Sequence, residues 1–437
     1  MDGLVMAAQL LLALSILVIL HEFGHYIAAR AFGIRVEKFY LFFDAWGIKL
    51  FSFKKGDTEY GIGWLPLGGY VKISGMVDES MDKEQMKQPP QPWEFRSKPA
   101  WQRLIVMVGG VTMNVILGIA IYTFILLHYS GKYLPVENVD HGIYAYELGR
   151  EIGFKTGDKI VSFNGERLER FENVLSTRIL FGGTFTVKRD GKLVEITVPD
   201  DFYKTVSQKG KGRFIDAHNS TFFVDSVVKN SPADRAGIKD HDKIIAVNDT
   251  TTDTYGSFRE MIMDKKNQQV ALKISRGDSV ILAQARLDSS SVLGIYADLD
   301  YTFKDYTLSS ALKFGSSDAV DALVVNAKGL KRIFAGKEDV RESLQGPVGI
   351  AVLYGGTWEW FRFWVLTGLL SMVLAFMNIL PIPALDGGHV IFLLIETFSG
   401  KKLSDKFMER AQVAGMIILI SLMIFAFTND IWKHLLQ

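Results

Sequence analysis

Four apolar runs constrain this chain more than any other feature: Leu4 to about Ala29, Trp101 to Leu127, Trp358 to Leu380, and Met408 to Phe427. Each matches the roughly 20 residues that a helix needs to cross a bilayer. The chain has 437 residues, too many for one compact core, and 22% of them are charged. This mixture suits a membrane protein with sizeable water-exposed parts. The first run is read as a retained helix. A signal peptide needs a basic start and a small-residue cleavage site, whereas this segment begins with Asp2 and continues into HEFGHYIAARAFG.

Lysine and arginine placement orients the spans. Residues 1–20 carry none, whereas the segment after the first span begins with Arg30, Arg35, Lys38 and Lys49. The link between the third and fourth spans carries Lys401, Lys402, Lys406 and Arg410, and the C-terminal tail only Lys433. Both termini and the region from about 130 to 355 are therefore expected outside, with the two basic loops in the cytosol. A formal charge of +1 gives no basic surface for nucleic acid. With no cysteine in the chain, any metal must be held by His and carboxylates.

Between the first two spans, KLFSFKKGDTEYGIGWLPLGGYVKI reads as a β-hairpin turning at Lys55-Gly56-Asp57. Gly61, Gly63, Gly68 and Gly69 either admit a close backbone approach or simply make turns. Asp78 to Pro92 reads as a loop. In the outer region, IGFKTGDKIVSFNGE (152–166) aligns with AGIKDHDKIIAVNDT (236–250) at an offset of 84 residues, with six of fifteen positions identical. Each copy is followed by a helical stretch and a strand pair, so the region holds a repeated β-rich module. Residues 305–336 read as an amphipathic helix packed on the modules or the membrane surface.

The chemistry concentrates in His21-Glu22-Phe23-Gly24-His25, which fits the HExxH metallopeptidase pattern. On a helix, His21 and His25 lie about 40° apart and Glu22 about 60° from His25, so all three share one face. Two imidazoles on that face can hold Zn²⁺, and a carboxylate beside them can move a proton between attacking water and leaving amine. Ionisable groups inside an apolar helix are costly, at about 2.5–3.5 kcal/mol each near the centre. The plainer alternative is that Leu4 to Leu20 spans the bilayer and HEFGH is an interfacial fringe.

Zinc takes a third protein ligand in a catalytic site. Asp386 in NILPIPALDGGH (378–389) is the strongest candidate, with His389 an alternative on chemistry alone. Pro381 and Pro383 break the helix, and Gly387 and Gly388 permit an unusual turn. Broken helix at membrane depth is tolerated only against a cavity or inside protein. On the orientation above, HEFGH and Asp386 both lie at the inner ends of parallel spans, about 360 residues apart in sequence.

HEFGH in the first span and NILPIPALDGGH after the third resemble the site-2 protease family of intramembrane zinc metalloproteases. The segment SPADRAGIKDHDKIIAVN resembles the PDZ signature. Two such modules between spans two and three resemble the family's bacterial, sigma-E-regulating branch. The resemblance implies one Zn²⁺ per chain held by His21, His25 and Asp386, with Glu22 as general base and acid. It also favours Asp386 over His389, sets Asn378 beside the metal as a substrate-engaging residue, and makes the hairpin around Gly61–Tyr70 a membrane-associated β-region that steadies an unfolded substrate strand. Gly346-Pro-Val-Gly-Ile350 also fits this family's pattern.

The fold expected is a polytopic helical membrane domain plus two tandem PDZ-like domains. The spans with HExxH and the hairpin occupy 1–130, the modules 131–215 and 216–303, a helical connector 304–356, and the last spans with the LDG motif 357–437. The expected function is endopeptidase cleavage of single-span membrane proteins, by resemblance a pre-trimmed anti-sigma factor and remnant signal peptides. The bacterial inner membrane is the expected location, with the active site toward the cytosolic leaflet and peptide segments at the PDZ-like grooves. The alternatives are a membrane-anchored adaptor or pseudoprotease that binds without cutting and, more remotely, a transporter.

Overall fold

The computed structural model describes residues 2–66, 68–76, 89–208, 214–299, 301–400 and 403–435. Most of the expected loop between Asp78 and Pro92 lies outside them. The chain divides into two units, Met1–Ser130 with Thr307–Gln437, and Gly131–Tyr306.

The first unit is built on helices. Among the described residues four are long and apolar enough to cross a membrane: Asp2–Ala31, Ala100–Ser130, Trp360–Ile379 and Lys406–Lys433, with mean hydropathies of 2.6, 2.4, 1.6 and 2.2. They belong to α1 (Asp2–Ala31), α2 (Ala100–Ile125), α5 (Trp360–Ile379) and α7 (Asp405–Leu435). Between α2 and α5 in sequence come α3 (Leu308–Phe334) and α4 (Pro347–Tyr354), and α6 (Asp386–Ser399) follows α5. The start of α3 is fixed by a capping box between Thr307 and Ser310. Its buried N-terminal half lies on α2, where a Cβ on Gly315 would come 2.7 Å from the Thr123 backbone. The amphipathic helix thus packs against an apolar helix of its own unit, because small residues let the backbones approach. At α4, the buried Asp430 of α7 accepts the Gly346 and Gly349 N–H groups, both at 2.9 Å. An orphaned helix N-terminus is thereby satisfied by a carboxylate from another helix.

The expected hairpin is part of a larger sheet. Strands β1 (Val36–Leu41), β2 (Lys49–Lys55), β3 (Thr58–Gly63) and β4 (Tyr70–Ile73) are ordered β2-β3-β1-β4. β2 and β3 form the hairpin, β1 runs parallel to β3, and β4 pairs antiparallel to β1 with Tyr40 opposite Tyr70. A lone two-stranded hairpin is marginal in water. β1 supplies the missing middle, placing Tyr40 in the core at 1% exposure. Of the two readings of the glycines, close approach holds at Gly61, where a Cβ would meet the Tyr40 ring at 2.5 Å.

The second unit carries the repeat. In the first copy β5 (Lys159–Phe163), β6 (Glu166–Arg167), β7 (Gly183–Arg189) and β8 (Lys192–Val198) are ordered β8-β7-β5-β6. In the second, β9 (Lys243–Val247), β10 (Thr250–Thr251), β11 (Gln269–Arg276) and β12 (Ser279–Arg286) are ordered β12-β11-β9-β10, the same topology. The shared Asp of the repeat explains its retention. Asp158 is buried, takes a two-nitrogen fork from Arg189 at 2.7 and 2.6 Å, and accepts the Lys155 N–H at 2.8 Å. Asp242 takes the same fork from Arg276, both bonds at 2.7 Å, and the Lys239 N–H at 2.8 Å. Where the first copy has Gly157 and Gly165, His241 and Asp249 keep left-handed backbone, both with φ of 65°.

Burial alone would raise the Asp242 carboxyl, but the Arg276 fork and the Lys239 N–H outweigh it and hold the group below the ordinary carboxylate range. Its stabilisation is therefore complete above the pKa of an unfolded Asp and is lost as pH falls through the lowered value. Asp242→Ala removes the acceptor of the Arg276 fork and of the Lys239 N–H and should cost about 1–3 kcal/mol. Faster hydrogen exchange in β9 and β11, with β5 and β7 little changed, is the expected result.

Candidate metal centre

α1 runs through HEFGH without interruption, and its partner is set by glycine. A Cβ on Gly24 would lie 2.2 Å from the Gly109 carbonyl oxygen of α2, and one on Gly109 2.6 Å from that of Gly24. The two backbones therefore touch at the level of the histidines, a contact only small residues permit. His25 reaches across it and donates from Nδ1 to the Val106 carbonyl at 2.8 Å. That bond fixes the tautomer and leaves the Nε2 lone pair facing inward.

Asp386 comes from the far end of the chain. α5 stops at Ile379 and the chain turns through Pro381 and Pro383, with Ala384 at φ 81°. Asp386 is then the first residue of α6. Gly387 and Gly388 are helical, which corrects their expected role in a turn. A Cβ on Gly387 would meet the Leu380 carbonyl oxygen at 2.2 Å, so these glycines let α6 fold back on the broken segment. A salt bridge from Arg103 of α2 to Glu396, at 2.5 Å and mostly buried, ties α6 in place.

These elements bring three donor atoms together. His21 Nε2 lies 3.2 Å from His25 Nε2 and 3.2 Å from Asp386 Oδ2, and His25 Nε2 lies 3.4 Å from Asp386 Oδ2. A tetrahedral ion with ligands at about 2.0–2.1 Å sets them about 3.3 Å apart, so the triangle matches one face of a zinc tetrahedron. Asp386 Oδ2 is buried without a hydrogen-bond donor, an arrangement that a cation satisfies. The donor set fits zinc. No other group of three His or acidic side chains close enough to hold a metal occurs among the described residues.

Around the triangle lies a cavity of about 660 Å³. It is lined by Glu22, Asn378 and Asn114, and by β4 from Tyr70 to Ile73. Asn378 Nδ2 stands 3.4 Å from His21 Nε2. β4 is an edge strand that pairs only with β1 among the described residues, and Gly69 just before it brings backbone close to Glu22. A bond from the Tyr70 hydroxyl to Asp44, which also binds Lys38, pins the start of β4 at 2.7 Å. His389 takes no part in the triangle. Sequence reading passed over Gly109, Gly110 and Asn114; the signal was GGxxxN, paired glycines and an amide inside an apolar helix.

A family model for peptidase family M50 matches residues 9–422. This chain belongs to family M50, the site-2 proteases. It is 26% identical to the regulator of sigma E protease of Haemophilus influenzae, over 96% of this chain and 97% of that protein. It is equally identical to metalloprotease MmpA of Caulobacter vibrioides, over 99% and 96%. A Neisseria meningitidis protein named, by inference, a zinc metalloprotease is also 26% identical, over 97% and 98%. The chain is thus a membrane-embedded, zinc-dependent peptidase, which sets aside the adaptor and transporter readings.

A Cβ on Gly110 would lie 2.4 Å from His25 Nε2 and 2.7 Å from His21 Nε2. Gly110→Ala should therefore displace the imidazoles, and metal analysis of the purified enzyme should find most of its zinc lost. Gly329, with open space where its Cβ would be, is the control: Gly329→Ala should keep full zinc.

Proposed function

We propose that this M50 peptidase cleaves a peptide bond within or beside the membrane segment of single-span proteins, using His21, His25 and Asp386 to hold zinc and Glu22 to move the proton. The observation carrying this reading is the Nε2–Nε2–Oδ2 triangle beside a strand, β4, that pairs with no second strand among the described residues. When bound, zinc supplies the Lewis acidity that polarises the scissile carbonyl and activates water. Glu22 shares the cavity with the triangle, so its carboxylate takes a proton from the attacking water and returns it to the leaving amine. Asn378 donates its amide to the substrate backbone next to that centre.

A helical membrane segment hides its carbonyls in its own hydrogen bonds, so it must unwind before cleavage. β4 offers replacement bonds. An extended substrate segment laid along its open edge gains a ladder and is aimed past Glu22. Substrates of this form include a trimmed anti-sigma factor and remnant signal peptides, in a bacterial inner membrane with both termini and the repeated modules outside. In the second, PDZ-like module, a groove of about 230 Å³ between the helix Tyr255–Met263 and the segment 290–295 is a seat for an extended peptide.

Glu22→Gln should leave zinc content unchanged while cleavage of a reconstituted single-span substrate falls by about 10²–10⁴-fold. Chelator treatment of the wild type should abolish cleavage, and added zinc should restore it. Full cleavage by Glu22→Gln would overturn the assigned role.

A further inference from the structure

His25 has its acceptor in the Val106 carbonyl, and His21 needs one as well. Its Nδ1 lies 3.2 Å from the side-chain amide of Asn114, a residue with no exposure, whose Oδ1 is buried without a partner. The two ends of an amide have the same shape, and the neighbours decide which faces which. With Nδ2 toward His21, the imidazole would accept at Nδ1 and carry its proton on Nε2. That is the atom 3.2 Å from both His25 Nε2 and Asp386 Oδ2. Nε2 can bind a metal only with its lone pair free, so Nδ1 must hold the proton and needs an acceptor. Turned round, the amide oxygen accepts that proton and the orphaned Oδ1 gains its donor.

We infer that Asn114 is a positioning residue of the zinc site, its amide oxygen fixing the tautomer and ring plane of His21. The inference rests on the ligand set proposed above. Spacing on α2 supports it independently. Val106, Gly110 and Asn114 follow at intervals of four and share one helix face. The first accepts from His25, the second leaves room for both rings, and the third meets His21. The face is held in register because the Asn114 carbonyl accepts the Ser371 hydroxyl of α5 at 2.7 Å. One stripe of one helix thus forms the outer shell for both histidines.

The test uses the full-length enzyme in detergent, with zinc affinity read by chelator competition and folding by thermal melting. Asn114→Leu, which keeps the volume and removes the acceptor, should weaken zinc binding by about 10–100-fold. Asn114→Asp, which keeps an acceptor, should hold zinc about as tightly as the wild type. Because a carboxylate makes the imidazole a stronger donor, the cobalt-substituted Asn114→Asp enzyme should also show shifted ligand-field bands, a readout that stands even if Asn114→Leu does not fold. A folded Asn114→Leu enzyme with wild-type affinity, an Asn114→Asp enzyme as weak as Asn114→Leu, or unchanged cobalt bands would each overturn the inference. A wild type that binds no zinc would instead sink the ligand set beneath it.

Discussion

The backbone contact between Gly24 and Gly109 is the constraint on which the site depends. Side chains on ordinary helices keep the axes about 8–10 Å apart. Here neither residue has a side chain, and the carbonyl of each occupies the space a Cβ of the other would take. That closeness lets His25 reach a carbonyl of the neighbouring helix and lets Asn114 reach His21. Polar side chains in an apolar helix are costly unless partnered. The glycine contact brings the partners within reach, so geometry and solvation are solved together.

A second constraint concerns water and substrate. The centre lies in a cavity bounded on one side by a β-sheet rather than by a further helix. An unpaired strand edge facing lipid would be unfavourable, whereas one facing a cavity that holds polar groups such as Glu22 and Asn378 can be wetted or occupied. The broken segment 380–385 follows the same rule. Its proline-interrupted backbone is tolerated because α6 and α7 pack on it, Gly387 against Leu380 and Gly415 against the Pro383 carbonyl.

Much of this was legible in the sequence. HEFGH, the aspartate after two prolines, the four apolar runs and the repeat each stand out through a local pattern with a physical reason. β1 escaped notice because VEKFYL is too short to be told from its surroundings and pairs in parallel with β3, a partner some twenty residues on, and YVKI was taken into the hairpin although it forms a separate strand on β1. Gly387 and Gly388 were misread for a related reason. A glycine looks the same in sequence whether it supplies an unusual backbone angle or makes room for another chain segment, and here the second need applies.

The sequence by itself determined which side chains are available for chemistry and that they sit in or beside apolar runs, since helical periodicity and hydropathy are local properties. Only the tertiary structure decided that atoms 365 residues apart, His21 Nε2 and Asp386 Oδ2, lie 3.2 Å from each other. It also decided which helix face supports them. Those distances follow from packing between segments distant in the chain, where an ångström separates a coordinating triangle from three unrelated polar groups, and no local pattern carries that information.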